Sequence, residues 1–436
     1  MNRITCAWIL LCILHMIASA EASSYTLGIF GNANMDEDID EKDVAYVEGV
    51  IKGTNAATNL SDANYDGKID SKDIDQIELI MQGKEKNLTV VSKSGWHEYA
   101  VVTVQKPIKS VITRFFDSAE MLRILDSTNK IVAVGGNEIR DASLFFPELS
   151  KLPPVAGKRT GDPDYEAILS IHPDIFLPWS NEQREKLPGI NMVSSKLYGL
   201  NSTGDIKKLG YIFDKEKEAE EYIEWQENCL NKINEQVKKI PEEKRPRVLV
   251  GIFRPNGAFY AYHGPGGNTG MDELMTMIPM NSVGKELQKG SEMDMEWVIK
   301  QNPEIIILVE SLGPTIGGGP TFAGYQVDDP SQIAAERENV LNRPELADVK
   351  AVKEGKVYMM DYKLFSYSQS MIVGAMYLAK WIYPDLDLNP EAIHQEYLNR
   401  FQHLDYDLNE HGVFAYPPIE IDGGLAGIPD KYKGKT

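Results

Sequence analysis

A twelve-residue pattern of oxygen-bearing side chains occurs twice near the start of the chain, thirty residues apart. The first copy is Asn32-Ala33-Asn34-Met35-Asp36-Glu37-Asp38-Ile39-Asp40-Glu41-Lys42-Asp43. The second is Asp62-Ala63-Asn64-Tyr65-Asp66-Gly67-Lys68-Ile69-Asp70-Ser71-Lys72-Asp73. Side-chain oxygens fall at loop positions 1, 3, 5, 9 and 12, and position 7 (Asp38, Lys68) offers its backbone carbonyl. A hard cation with six to eight oxygen ligands requires such a set. The candidate metal ligands are therefore Asn32, Asn34, Asp36, Asp38, Asp40 and Asp43, then Asp62, Asn64, Asp66, Lys68, Asp70 and Asp73. Apolar residues at helical spacing follow each loop, Val44, Val47, Val50 and Ile51 in one copy and Ile74, Ile77, Ile80 and Met81 in the other. Gly53 and Gly83 mark the helix ends. Two loop–helix units of this size bury little core alone, so metal binding is expected to contribute folding energy.

This segment resembles a type I dockerin, in which an aspartate closes each loop at position 12, here Asp43 and Asp73, and one helix follows. The resemblance implies Ca2+ in both loops and docking to a cohesin module. Partner choice would fall to loop positions 10 and 11, which are Glu41 and Lys42 in one copy and Ser71 and Lys72 in the other. Because the two pairs differ, a symmetric dual docking mode is not expected. Glu37 stands where the second copy has Gly67, the residue that a sharp turn prefers, so the first site is expected to be the weaker.

At 436 residues the chain exceeds the size at which single cores stop growing, roughly 250–300 residues. Its formal charge of −20 argues against nucleic acid or anionic lipid as a partner. Residues 1–20 read as a secretory signal, with Arg3, an apolar stretch over 7–17 and a small-residue cleavage site at Ala18-Ser19-Ala20. An uncleaved anchor is the alternative reading. Export to an extracytoplasmic space, periplasm-like or at the cell surface, is expected. Cys6 and Cys12 lie in that segment, so Cys229 is left alone and is read as a packed core residue.

The expected organisation is a duplicated loop module over 26–84, a polar linker over 85–95, an N-terminal lobe over 96–214, a connecting helix over 215–240, a C-terminal lobe over 241–410 and an extension over 411–436. The short linker is expected to let the module and the rest move independently. Short apolar runs at 110–113, 131–134, 175–177, 192–194, 247–252, 305–309 and 357–360 alternate with helical patterns. That alternation predicts an α/β chain, two Rossmann-like lobes of parallel sheet joined by a long helix and preceded by the small α-helical module.

A second internal repeat supports two lobes. Asp164-Tyr165-Glu166-Ala167-Ile168-Leu169-Ser170-Ile171-His172-Pro173-Asp174-Ile175 aligns with Asp294-Met295-Glu296-Trp297-Val298-Ile299-Lys300-Gln301-Asn302-Pro303-Glu304-Ile305. Each reads as a carboxylate-capped amphipathic helix, a proline break and an apolar strand. From spacing alone, Glu166 and Glu296 are as well explained by stabilisation of a helix start as by any function.

With Ile112-Thr113-Arg114, Ile131-Val132-Ala133-Val134-Gly135, the segment 351–358 and the helix-like 377–384, this repeat makes residues 96–405 resemble the class III solute-binding proteins of ABC importers, the iron-siderophore and cobalamin group. The resemblance implies a ligand held between two lobes with limited hinge motion. It also implies one glutamate per lobe, Glu166 and Glu296, docking to the transmembrane permease. A monomer is expected.

Ligand residues are sought on loops at strand C-termini. Candidates are Arg114, Phe115, Lys158, Arg159, Trp179, Arg254, Tyr260, His263 and Tyr325. Aromatics with a few cations suit a large, flat or anionic metal chelate, and the resemblance implies one of the ferric siderophore type, or alternatively a corrinoid or haem. No phosphate-binding Gly-rich loop, nucleophile elbow or zinc helix motif occurs, so the chain is not read as an enzyme. A dockerin-borne carbohydrate-active enzyme and a structural surface protein are the alternatives of other classes.

Overall fold

The computed structural model describes residues 25–93, 99–157, 161–179, 184–195, 197, 202–254, 257–261, 274–275, 277–288, 290–310, 321–365 and 369–435. The duplicated loops each lead into one eleven-residue helix, α1 (Glu41–Ile51) and α2 (Ser71–Met81). Asp40 and Asp70 are the N-caps. Each closes a capping box with the aspartate three residues on, Asp43 or Asp73. Val47, Ile77 and Ile80 face inward and are almost wholly buried.

Of the segment expected as a polar linker, 85–95, the described residues 85–93 are instead built into the fold. Strand β1 (Asn87–Lys93) pairs antiparallel with β2 (Tyr99–Gln105) over seven residue pairs, from Asn87 with Gln105 to Lys93 with Tyr99. Leu88 and Val90 are fully buried, and Val90 bridges Ile29 of the module. The Phe30 amide donates to the Thr89 carbonyl at 2.9 Å and the Val91 amide to Gly28 at 2.8 Å. Glu85 and Lys106 form an ion pair with almost no exposed side-chain surface, and Lys106 also reaches Asp214 at 2.6 Å. Polar side chains made the segment look solvated, yet partners from other elements satisfy them: Thr89, itself buried, meets Thr103 at 2.9 Å, and Ser92 accepts from the Ser194 amide at 2.8 Å. Leu27, Ile29, Val47, Ile77 and Val90 therefore share one hydrophobic core with the N-terminal lobe, and the module is not separately tethered.

In that lobe a four-stranded sheet runs β4-β3-β5-β6, with β3 (Val111–Thr113), β4 (Ile131–Val134), β5 (Ile175–Leu177) and β6 (Asn191–Met192) all parallel. Period-two alternation divides its residues between two cores. Val111, Val134, Ile175 and Leu177 face one, and Ile112, Ala133 and Phe176 the other. Helix α3 (Phe116–Ile124) follows β3, α4 (Asn137–Arg140) follows β4, and α5 (Tyr165–Ile171) precedes β5. Helix α6 (Thr203–Phe213) then turns through Asp214, in the left-handed region, into the 22-residue connecting helix α7 (Glu216–Val237). Cys229 is buried on α7, and burial pushes its thiol up to about 12.

The C-terminal lobe repeats the plan with a six-stranded sheet. Parallel strands β7 (Arg247–Phe253), β10 (Ile305–Glu310) and β11 (Val357–Met360) form its centre. Strand β8 (Phe259–Ala261) pairs antiparallel and β9 (Asn281–Val283) parallel with β7. Here too the faces alternate, with Ile305, Ile307 and Val309 in one core and Ile306 and Leu308 in the other. Helix α8 (Met295–Gln301) precedes β10, and α9 (Ser331–Leu341) and α10 (Lys350–Lys353) precede β11. Helices α11 (Tyr362–Phe365), α12 (Met371–Ile382) and α13 (Pro390–Glu396) follow. Of the extension expected over 411–436, the described residues 411–435 belong to this lobe. Strand β12 (Ala415–Tyr416) adds an antiparallel edge to β11, and β13 (Ile419–Ile421) and β14 (Gly424–Ala426) form a hairpin that buries Leu425.

The lobes meet through a buried polar network. Glu120 of α3 accepts the Tyr397 hydroxyl at 2.8 Å and the Gln369 amide at 2.9 Å. Gln369 also receives the Tyr222 hydroxyl of α7 on its carbonyl at 2.8 Å and donates to the Leu197 carbonyl.

Candidate functional site

In the duplicated loops, side-chain oxygens fold the backbone around themselves. Asn34 and Asn64 accept the Asp36 and Asp66 amides at 3.0 and 2.9 Å, and Asp36 and Asp66 accept the amides of residues 38 and 68. Asp43 and Asp73 each span the loop, accepting the Asn34 or Asn64 amide on one oxygen and the Asp40 or Asp70 amide on the other. Both carboxyls are fully buried, and burial pushes Asp43 up to about 6 and Asp73 in the same direction. Among the described residues, no three His, Cys, Asp or Glu side chains converge as a metal cluster. The chemistry of the donors, oxygens only with a buried carboxylate at position 12, still suits a hard cation.

The two loops differ where the sequence differs. Gly67 has φ +87°, whereas Glu37 is not among the positive-φ residues. Asp38 turns its side chain to Lys207 of α6 at 2.7 Å, and Lys207 also reaches Glu220 at 3.4 Å. Lys68, at the matching position of the second loop, is exposed. Glu41, Lys42, Ser71 and Lys72 are all exposed, with Lys42 paired to Asp40 at 2.8 Å.

The strand ends of the N-terminal lobe place several expected ligand residues. Arg114 follows β3 but is drawn inward. It is 6% exposed and donates to the carbonyls of Gly135 at 3.2 Å and Gly161 at 2.7 Å. Its guanidinium lies 4.9 Å from the Phe115 ring centre. Gly135 and Gly136, at the end of β4, are required by this close packing, since a Cβ on either would lie within about 2 Å of the Arg114 or Ala156 carbonyl oxygen. Phe115 and Trp179 are half-buried and meet edge to face at 5.8 Å, beside Asp117, Ser118 and Leu197 in a small pocket. Lys158, Arg159 and His263 lie outside the described residues.

In the C-terminal lobe, Arg254 is exposed at the end of β7 and stacks on Tyr260 at 4.1 Å. Tyr260 donates its hydroxyl to Glu292 at 3.1 Å. Tyr325 does not line an open cleft. It is buried against Phe145 at 4.7 Å and bonds His394 at 2.9 Å.

Sequence reasoning missed a buried acid pair in the same region. Glu310 ends β10 and Asp361 follows β11, and both are nearly inaccessible. Strand register pairs Val309 with Met360, so these carboxyls come next on adjacent strands. Burial, and then the charge of Asp361, push Glu310 up to about 9, while burial pushes Asp361 up to about 6. Glu310 accepts the Phe322 amide at 2.8 Å, and one Asp361 oxygen has no hydrogen-bond partner among the described residues. Each apolar strand run stops on a carboxylate, which was the available signal.

The second repeat is reproduced in detail. Asp164 and Asp294 cap α5 and α8 by accepting the amides of Ala167 at 2.9 Å and Trp297 at 3.1 Å. His172 and Asn302 end them in the left-handed region. Glu166 and Glu296 are exposed on these helices, and neither makes an ion pair or hydrogen bond with a described residue. Among the described residues, no helix is long and apolar enough to cross a membrane.

A sequence profile of the periplasmic binding protein family matches residues 111–364. No curated protein matches the chain. Among solved structures, the TroA-like periplasmic binding protein FepB from Veillonella parvula is similar with a TM-score of 0.60 and 22% identity, covering 72% of this chain and 96% of that one. The molybdate periplasmic binding protein MolA from Haemophilus influenzae, bound to molybdate, is similar with a TM-score of 0.54 and 18% identity, covering 71% and 97%. CeuE from Helicobacter pylori, in a Ni–His complex, gives 0.53 and 16%, covering 73% and 96%. These structures share the fold of the two lobes. The profile begins at β3, past the duplicated loops, and ends in α11. It spans more than half of the sequence, and the chain belongs to the periplasmic binding protein family.

Proposed function

We propose that this chain is an extracytoplasmic receptor that captures a metal chelate, of the ferric siderophore type, between its lobes and delivers it to an ABC importer. The observation that carries the delivery role is the duplicated helix, with Glu166 and Glu296 exposed at matching positions of the two lobes. The chelate reading is supported by the aromatic and cationic groups at the strand ends: Phe115 against Trp179, and Arg254 on Tyr260. Lys158, Arg159 and His263, candidates from the sequence, would add charge and a metal donor. Corrinoid or haem would use the same flat aromatic surfaces.

The duplicated loops would each hold Ca2+ through Asn32, Asn34, Asp36, Asp40 and Asp43, or through Asp62, Asn64, Asp66, Asp70 and Asp73, with the carbonyls of Asp38 and Lys68. The exposed Glu41, Lys42, Ser71 and Lys72 would then face a cohesin-type partner and fix the receptor on a scaffold. Because β1 joins the module to the lobe, that attachment would hold the receptor body rigidly.

The test is a fluorescence titration of the purified chain with ferric siderophores, haem and corrinoids. Saturable quenching that is lost in Trp179→Phe supports the reading. Absence of binding across the panel contradicts it.

A further inference from the structure

Among the described residues, nine large hydrophobic side chains are exposed, and five of them (Met35, Ile51, Tyr65, Leu79 and Met81) belong to the duplicated-loop module. Of the other four, two occupy one and the same position of the second repeat. Leu169 is 37% exposed and Ile299 is 38% exposed, 130 residues apart, as are Asp164 and Asp294. Each lies three residues after its lobe's exposed glutamate, one helical turn away on the same face. The inward face is filled by Ile168 or Val298, both fully buried, so the outer apolar residue is not needed by the core. The neighbouring outward position differs, Ser170 in one copy and Lys300 in the other. Charge and apolar surface are thus the shared features at the exposed positions.

We infer that Leu169 and Ile299 are apolar anchors of a paired docking surface, each seating in a socket that joins a basic group to an apolar wall. The occupant is a partner presenting two such sockets, one for each lobe, which a permease built from two similar halves provides. This rests on the importer reading above. The carboxylate of each pair steers and orients, and its contribution falls with salt. The aliphatic side chain excludes water from the contact, and its contribution persists in salt.

The experiment is sedimentation binding of the full chain to membrane vesicles from its native host, at low salt and at about 0.5 M salt, where charge effects are screened. Leu169→Asp and Ile299→Asp are expected to weaken binding roughly tenfold at both salts. Glu166→Gln and Glu296→Gln are expected to weaken it mainly at low salt. Leu144→Asp, at an exposed leucine outside the repeat, is the control expected to bind like the unaltered chain. Unchanged binding by the Leu169 and Ile299 variants, with weakened binding by the glutamate variants, overturns the apolar anchors and leaves permease docking intact. Unchanged binding by all four variants overturns both.

Discussion

Replacement of Glu310 by glutamine is expected to stabilise the protein at neutral pH. Glu310 is 3% exposed, and burial with the neighbouring Asp361 charge raises it from 4.5 to about 9. The folded state therefore holds a proton that the unfolded state releases between those values. Its contribution to stability is fully present below about 4.5 and is lost progressively as pH rises toward 9. At pH 7 the cost of keeping Glu310 protonated is about 3 kcal/mol, from 2.5 units at about 1.36 kcal/mol each. Glutamine keeps the shape and keeps an oxygen for the Phe322 amide, without a proton to hold. Thermal unfolding of Glu310→Gln beside the unaltered chain from pH 5 to 9 measures this. The variant should melt roughly 6–12 °C higher at pH 7 for a lobe of this size, with the gap widening as pH rises. A variant that melts lower at pH 7, with a gap independent of pH, would refute a buried protonated acid.

Two further perturbations test how the N-terminal module is joined to the lobes. Val90→Ala in β1 removes two methyl groups from a fully buried site, at a cost of about 1–3 kcal/mol, and should lower the unfolding temperature of module and N-terminal lobe together. Separate transitions, with the lobe unaffected, would restore the picture of a tethered domain. Lys207→Met breaks the ion pair with the exposed Asp38, worth at most about 1 kcal/mol, and should raise amide exchange in both α6 and the first loop. Unchanged exchange in either element would contradict the coupling.

Much of the lobe architecture was legible because its strands are buried on both faces and read as short apolar runs. Runs 131–134, 175–177 and 357–360 correspond to Ile131–Val134, Ile175–Leu177 and Val357–Met360. Helix α7 was legible from its charged amphipathic length, and α5 and α8 from their repeated capping aspartates. Strand β1 was not legible, because Thr89 and Ser92 look like solvated residues until Thr103 and Ser194 come from elsewhere in the chain. Residues 411–435 had no local signal, since β12 exists only against β11. Within the candidate site, the exposure of Glu166 and Glu296 followed from helical phase. The inward placement of Arg114 and Tyr325 did not, because it depends on Gly135, Gly161, Phe145 and His394 at long range.

Native mass spectrometry of the purified chain tests the central claim most directly. The account predicts one ferric chelate or corrinoid held per chain, and separately two calcium ions that a chelator removes without releasing the ligand. A chain that binds no member of a panel of ferric siderophores, haem and corrinoids would contradict the receptor assignment, whatever its calcium content.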